Sequence, residues 1–197
     1  NKITAYLDIT CPDGGCDPWD RISNIEVLGP NGEWVEIIRY ITPYGVPCSH
    51  TLDVTDYASL FQGKVEMKVS LGTFANGFEY TLELEYEVGT PEFLYSWVDV
   101  IWDQTYPFGN MANLQPVDTV NFTYASTTLA SKFKLVNSGH GWGENNSGNA
   151  SEFYEATHKV KVNEASYDQH LWVDCNPNPD GCSPQNGTWF YDRAGWC

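Results

Sequence analysis

The stretch EYTLELEYEV, residues 79–88, alternates between apolar and polar side chains along its whole length. One face carries only large apolar groups, and the other carries four glutamates and a threonine. The apolar set is Tyr80, Leu82, Leu84, Tyr86 and Val88. Because successive side chains of a strand point to opposite faces, this pattern predicts a half-buried antiparallel strand with one solvated, acidic face.

Two other stretches show the same period, ITAYLDIT at 3–10 and KVEMKVSL at 64–71. Their apolar faces are formed by Ile3, Ala5, Leu7 and Ile9, and by Val65, Met67, Val69 and Leu71. The segment GTFANG at 72–77 has two glycines, which predicts a hairpin joining 64–71 to 79–88. Further strands are expected near residues 24–28, 34–41, 94–102, 119–125, 132–136, 158–163 and 170–174.

Helix is nearly absent from the pattern. DVTDYASLFQG at 53–63 predicts one or two turns, capped by Thr55 or Asp56 and ending at Gly63. Many short strands separated by glycine- and proline-rich turns indicate an all-β fold, a sandwich or jelly roll. Gly89 and Pro91 interrupt the alternation at 87–93, and we place a junction there, between halves at 1–90 and 91–197.

The composition limits the classes of partner. The 197 residues include 26 acids and 10 bases, a formal net charge of −16. This charge argues against nucleic acid and against an anionic membrane surface. No stretch is long and apolar enough for membrane insertion, and no signal peptide is evident, so we expect a mature, trimmed or internal piece of chain.

Six cysteines lie in turn-rich stretches beside Pro, Gly and Asp, without the histidine spacing of a zinc finger. An even number in this context predicts disulfides, an oxidising compartment and therefore a secreted or extracellular protein. Sequence alone leaves the connectivity open. Four N-x-S/T sequons are candidate glycosylation sites, at Asn121, Asn145, Asn149 and Asn186.

The segment CDPWDR, residues 16–21, follows the close pair Cys11 and Cys16. One interpretation is a structural turn with a contact between Asp20 and Arg21. The other is a rigid support that holds the Asp20 carboxylate beside Trp19, whose ring could stack on a sugar. A carboxylate tuned by partial burial can activate water and transfer a proton.

Five segments of the sequence form a recognisable set, in the order CPDGGCDPWDR, GEWVEIIRYITPYGV, LDVTDYASL, YEVGTPEF and YDRAGWC. Together they resemble the peptide-N-glycosidase F family, which cleaves the bond between Asn and the first N-acetylglucosamine of an N-glycan. The resemblance is strong at 11–63 and 187–197 and thin at 94–136. It implies two adjacent antiparallel jelly rolls, here lacking terminal strands, with an active site in the cleft between them and without metal.

The resemblance also implies residue roles. Asp20 matches the principal catalytic carboxylate, and Glu152, ahead of Thr157 and His158, matches a second active-site carboxylate. Trp19 and Arg21 match residues that line the glycan site. Arg193 matches the arginine of an Asp-Arg-Ala-Gly-Trp segment and is expected, with Arg21, to bind the chitobiose end of the glycan. The implied disulfides are Cys11–Cys16 and Cys175–Cys197, which leaves Cys48 and Cys182 to pair with each other.

The sequence departs from the family pattern at two places. Leu71 and Thr73 stand where the family has a third cleft carboxylate, a Glu, and a Trp. Ala150 and Tyr154 replace a Cys pair that clamps the loop around the second carboxylate. Within the loop 137–151, Trp142 has two interpretations of equal weight, an exposed ring that stacks on sugar or a plug that packs the loop down.

A metal site is not expected. The four histidines are His50, His140, His158 and His170. They form no His-x-His or adjacent pair, so we interpret them as structural or surface groups and expect no metal and no cofactor.

Two functions of different class follow. The first is a secreted amidase that acts on N-glycosylated proteins, with Asp20 and Glu152 as the reacting carboxylates. The second is a non-catalytic glycosylated module that binds glycans or assembles with copies of itself through exposed sheet edges. The sequons and the altered loop around Glu152 favour the second function, and the departure at Leu71 counts against the first. The intact WDR and DRAGW segments favour the first.

Overall fold

The computed structural model describes residues 2–110, 112–113, 116–141, 150–176 and 185–197. The strands are β1 Lys2–Thr10, β2 Ile22–Leu28, β3 Trp34–Ile41, β4 Cys48–Asp53, β5 Met67–Leu71, β6 Glu79–Glu87, β7 Ala156–Val162 and β8 Ala165–Leu171. Two short 3₁₀ helices occur at Thr55–Leu60 and Ser151–Phe153. The all-β prediction is confirmed. No helix among the described residues has the length and apolar character that a membrane crossing requires.

The chain forms two compact units. The first comprises residues 1–100, 175–191 and 197, and the second comprises 101–174 and 192–196. The tail of the sequence therefore contributes to both units. The division into jelly-roll halves at 1–90 and 91–197, like self-assembly through sheet edges, stays a prediction.

The first unit contains two three-stranded antiparallel sheets, ordered β4-β1-β6 and β3-β2-β5. Its core contains the predicted apolar face of β1, with Tyr80, Leu82 and Leu84 of β6 packed against it. The prediction is wrong for Tyr86 and Val88, which are 53% and 101% exposed. Ile3, Ala5, Leu7 and Ile9 of β1 are buried opposite the apolar face of β6. Each residue of this kind contributes about 1.5–3 kcal/mol when fully buried, so the alternating strands supply much of the stability of this unit.

The predicted hairpin at 72–77 is wrong. β5 pairs with β2 in one sheet, whereas β6 pairs with β1 in the other. The segment 72–77 therefore connects the two sheets and does not join neighbouring strands. Register places Met67 and Val69 opposite Val27 and Ile25 of β2, but they stay 36% and 38% exposed because β5 is an edge strand.

The predicted helical segment is a 3₁₀ helix, Thr55–Leu60. The expected cap at Thr55 or Asp56 is wrong, because Val54 is the N-cap residue and makes no side-chain cap bond. The Thr55 hydroxyl instead accepts a hydrogen bond from the Ile3 amide at 2.9 Å. This bond ties the segment to β1.

In the second unit, β7 and β8 form a hairpin through Asn163 and Glu164. Asn163 has a φ of 53°, which asparagine tolerates better than most residues. The strands predicted at 94–102, 119–125 and 132–136 are wrong, since none of these described segments forms a strand. The apolar composition of these segments does not suffice, because a strand exists only through hydrogen bonds to a partner.

The disulfides Cys11–Cys16 and Cys175–Cys197 are present, which confirms both pairings. Cys48 is also disulfide-bonded. Its expected partner, Cys182, lies outside the described residues.

Candidate active site

The first candidate segment begins at the small disulfide loop, residues 11–16. Gly14 and Gly15 have φ values of 99° and 96°, and the Gly15 amide donates to the Pro12 carbonyl at 3.0 Å. Side chains other than glycine adopt such angles only with strain. The two glycines therefore let the chain turn within the five-residue separation of Cys11 and Cys16.

Asp17 follows this loop directly and has no exposed surface. Its Oδ1 accepts from the Trp19 amide at 2.9 Å and from Arg21 Nη2 at 3.2 Å. Its Oδ2 accepts from Arg21 Nε at 2.9 Å and from the Thr73 hydroxyl. Burial raises the pKa of Asp17, but these hydrogen bonds and the Arg21 charge lower it by more, so the net pKa lies below its ordinary value.

Asp20 lies between two residues whose backbones are held in place. On one side the Trp19 amide is bonded to Asp17. On the other, the Arg21 amide donates to the Thr42 hydroxyl and the Arg21 carbonyl accepts from the Thr42 amide, both at 2.9 Å. Asp20 is 9% exposed, and Trp19 is 61% exposed. A nearly buried carboxylate thus adjoins an exposed indole in a firmly held segment.

The segment 72–77 packs against the same loop. Asn76 Nδ2 donates to the Gly14 carbonyl at 2.8 Å, and the Asp17 amide donates to the Gly77 carbonyl at 3.3 Å. The Phe74 ring is 94% exposed, and its centroid lies 5.0 Å from Arg21 Cζ. Thr73 therefore belongs to a cluster that also holds Arg21.

Two of the predicted sequons can be described. Asn121 and Asn186 are both exposed. The Asn186 amide donates to the Tyr44 carbonyl at 3.2 Å, and the Thr188 hydroxyl lies 3.3 Å from the Tyr44 hydroxyl. Asn145 and Asn149 lie outside the described residues, as does Trp142. Glycosylation at all four positions stays a prediction.

The second candidate segment, in the second unit, contains Glu152. It lies in the short 3₁₀ helix Ser151–Phe153. Its Oε2 accepts from the Gly141 amide at 3.0 Å and lies 3.8 Å from His140 Nδ1. Its own carbonyl accepts from the Ala194 amide at 2.9 Å. Both the backbone and the carboxylate of Glu152 are therefore fixed.

Arg193 is fully buried in this unit. Its guanidinium carbon lies 4.9 Å from the ring centroids of both Phe153 and Trp196. Its backbone exchanges two hydrogen bonds with Val173, at 2.8 and 3.0 Å. Cation–π contacts of a desolvated arginine stabilise by about 2 kcal/mol or more, so Arg193 fixes the segment 193–196 beside Glu152.

Close packing completes this part of the structure. The Gly139 amide donates to the Ala194 carbonyl at 3.0 Å, and Trp196 Nε1 donates to the Gly139 carbonyl at 2.6 Å. A Cβ on Gly139 would lie only 2.3 Å from the Ser151 carbonyl oxygen. The position therefore requires glycine.

Sequence reasoning missed several residues that build these segments. Asp17, Thr42 and Thr73 hold the first, and Gly139 and His140 contact the second. Asp17 had a local signal, since an aspartate before a turn commonly bonds the backbone amide two residues later. The others act through contacts that are distant in sequence and carried no local pattern.

These features define a class: an all-β protein with two firmly held carboxylate segments, the first anchored beside a disulfide loop. Residues 107–197 match the family model described as "Peptide-N-glycosidase F, C terminal". The chain is 33% identical to peptide-N(4)-(N-acetyl-beta-D-glucosaminyl)asparagine amidase F of Elizabethkingia miricola, and the alignment covers 99% of this chain. The chain spans 59% of the length of that curated relative.

Solved structures give the same result. A crystal structure of peptide-N(4)-(N-acetyl-beta-D-glucosaminyl)asparagine amidase matches with a TM-score of 0.71 at 29% identity, covering all of this chain and 68% of the other. A structure of PNGase F, described as a glycosylasparaginase from Flavobacterium meningosepticum, matches with a TM-score of 0.70, the same identity and the same coverage. The resemblance to peptide-N-glycosidase F is confirmed, and the similarity extends over 99% of this chain.

Proposed function

We propose that this chain is a secreted amidase that cleaves N-glycans from asparagine. The observation that carries the proposal is the setting of Asp20, a nearly buried carboxylate between two anchored residues and next to an exposed indole. The similarity to an asparagine amidase supports the reaction class. The disulfides support an oxidising, extracellular setting.

The proposed reaction adds water across the amide bond of the glycosylated asparagine. Asp20 takes a proton from water as the oxygen attacks the side-chain carbonyl carbon, and it returns a proton to the departing nitrogen. The C–N bond breaks, which gives aspartate and a glycosylamine, a glycan that carries the amino group on C1. A second water then hydrolyses the glycosylamine in solution to ammonia and a free glycan. Glu152 orients the water or the substrate, and its fixed carboxylate suits that task.

Arg21 and Trp19 are proposed to contact the sugars. Aromatic faces stack on sugar rings, and the exposed Trp19 indole offers such a face. Trp142 is proposed to act in the same way. Arg193 has no exposed surface, so its burial favours a role in positioning Glu152 over the direct glycan contact that the resemblance implies.

The test is incubation of the protein with a denatured N-glycoprotein in heavy-oxygen water. The expected products are a free glycan and an aspartate that carries the heavy oxygen at the former glycosylation site. Cleavage between two sugars would leave a sugar on asparagine and would contradict the proposal. Asp20→Asn, which hardly changes side-chain volume, is the matched variant and should release glycan about a thousandfold more slowly.

The exposed rings of Trp19 and Phe74 beside Arg21 favour one alternative, a glycan-binding module without turnover. Binding of a chitobiose disaccharide without any glycan release, even at high protein concentration, would support that alternative. Release with label incorporation would exclude it.

A further inference from the structure

The Asp17 carboxylate has its full complement of hydrogen bonds. Each oxygen accepts two, from Trp19, Thr73 and two nitrogens of Arg21. A carboxylate offers about four acceptor positions, so all of them are used. Asp17 therefore joins the segment 19–21 to the connection between β5 and β6.

This bonding is more than a turn requires. The disulfide already closes the loop at Cys11 and Cys16, and the single bond from the Trp19 amide suffices for the turn that follows. The two bonds to Arg21 form a planar, two-point contact that fixes the orientation of the guanidinium. The bond from Thr73 then fixes the carboxylate itself.

Arg21 is held in a way that leaves part of it available. Nε and Nη2 are bonded to Asp17, and Phe74 lies over the guanidinium. Among the described residues, none is bonded to Arg21 Nη1, and the side chain is 16% exposed. Nη1 can therefore donate to an acceptor that arrives from solvent.

We propose that Asp17 is a positioning residue for glycan recognition, which orients Arg21 so that Nη1 donates to an acetamide or hydroxyl oxygen of the first sugars. The inference rests on the proposed function. Thr73 assists by anchoring Asp17, and it does so at a position where the family has a Trp. Asp17 orients Arg21, and Arg21 contacts the sugar; Asp17 itself does not.

The experiment is a double-mutant cycle read by chitobiose titration in NMR, with glycan release measured in parallel. Asp17→Asn should weaken chitobiose binding about tenfold, since a charge-assisted contact to Arg21 is lost. Arg21→Met should weaken it by a similar factor. The double variant should bind no worse than Arg21→Met alone, because Asp17 acts through Arg21.

Two further measurements separate positioning from general stability. The Arg21 Nε–H resonance should be protected from solvent exchange in the wild type and should lose protection in Asp17→Asn. Asp13→Asn, an exposed aspartate of the same loop, should change neither binding nor this resonance. If Asp17→Asn fails to fold, Thr73→Val removes one bond to Asp17 and should still weaken binding severalfold.

Additive losses in the double variant, or unchanged binding in Asp17→Asn, would overturn the inference. So would a wild-type protein that binds no chitobiose. Binding that follows the predicted cycle without glycan release would refute the amidase and leave the inference in place. The two proposals therefore fail separately.

Discussion

The segment around Asp20 is held by charge and by a disulfide, whereas the segment around Glu152 is held by backbone hydrogen bonds and close packing. In the first, the buried Asp17 and the partly exposed Arg21 form an ion pair next to Cys16. In the second, Gly139, Ser151 and Ala194 meet at distances that leave no room for a side chain on Gly139. The stability of the first segment should therefore depend on pH and on reductant. The stability of the second should depend on the volume of the side chains packed there.

The largest expected effect distinguishes the two carboxylates. Asp20→Asn should lower kcat/KM for glycan release about a thousandfold, because the proposed acid–base group is lost. Glu152→Gln should lower it about tenfold, since the amide oxygen of glutamine can still accept from Gly141 and orient water. Single-turnover rates with a glycopeptide measure both. Equal losses would show that the two carboxylates share the proton transfer.

The next effect tests packing in the second segment. Gly139→Ala places a Cβ against the Ser151 carbonyl and the Ala194 side chain. We expect the free energy of unfolding to fall by about 3 kcal/mol, as for overpacked cores. Gly72→Ala is the control, because an added Cβ there meets nothing within 4 Å. Thermal unfolding compares them, and equal Tm values would contradict the packing argument.

The alternating strands could be predicted from the sequence because burial follows a local period. Ile3, Ala5, Leu7 and Ile9 are buried as expected, and β6 presents its apolar face to the same core. The hairpin at 72–77 could not be assigned correctly, since turn residues do not specify which sheet the following strand joins. That choice depends on β1 and β2, which lie far away in sequence.

The candidate site was predictable to the extent that its residues adjoin one another in sequence. Trp19, Asp20 and Arg21 are neighbours, and the pairing of Cys11 with Cys16 followed from the resemblance. The Arg21 partner was wrongly expected to be Asp20 in the structural interpretation, whereas the bidentate partner is Asp17. An aspartate four residues away can bind the Arg21 guanidinium as well as the adjacent Asp20 can, and the sequence does not show which of them does so.

The two described disulfides should differ in what their removal changes. By the loop-entropy relation, breaking Cys175–Cys197 should lower the free energy of unfolding by about 3 kcal/mol and breaking Cys11–Cys16 by about 2 kcal/mol. Of the two changes, only the loss of Cys11–Cys16 should also reduce glycan release, because Asp17 directly follows the loop that this disulfide closes. Paired Cys→Ala variants, assayed for denaturant midpoint and glycan release, test this. A larger activity loss from the 175–197 variant would reverse the argument.

The smallest expected effect is the pH dependence of the first segment. The pKa of Asp17 lies below its ordinary value of 3.8. The ionised form is favoured by folding, so its contribution to stability is complete above that value and is lost as pH falls through the lower, folded-state pKa. Asp17→Asn should therefore lower Tm by a few degrees at neutral pH.

The difference between wild type and Asp17→Asn should shrink as the pH falls below about 4, because the Asp17 carboxylate of the unfolded chain then takes up a proton. It should disappear once the pH has passed through the lower, folded-state pKa. Asp13→Asn, a change at an exposed aspartate of the same loop, is the control variant. Calorimetry from neutral to acid pH measures all three proteins. If the Tm difference between wild type and Asp17→Asn stays constant with pH, Asp17 stabilises the fold through the shape of its side chain. Its negative charge beside Arg21 would then contribute nothing to stability.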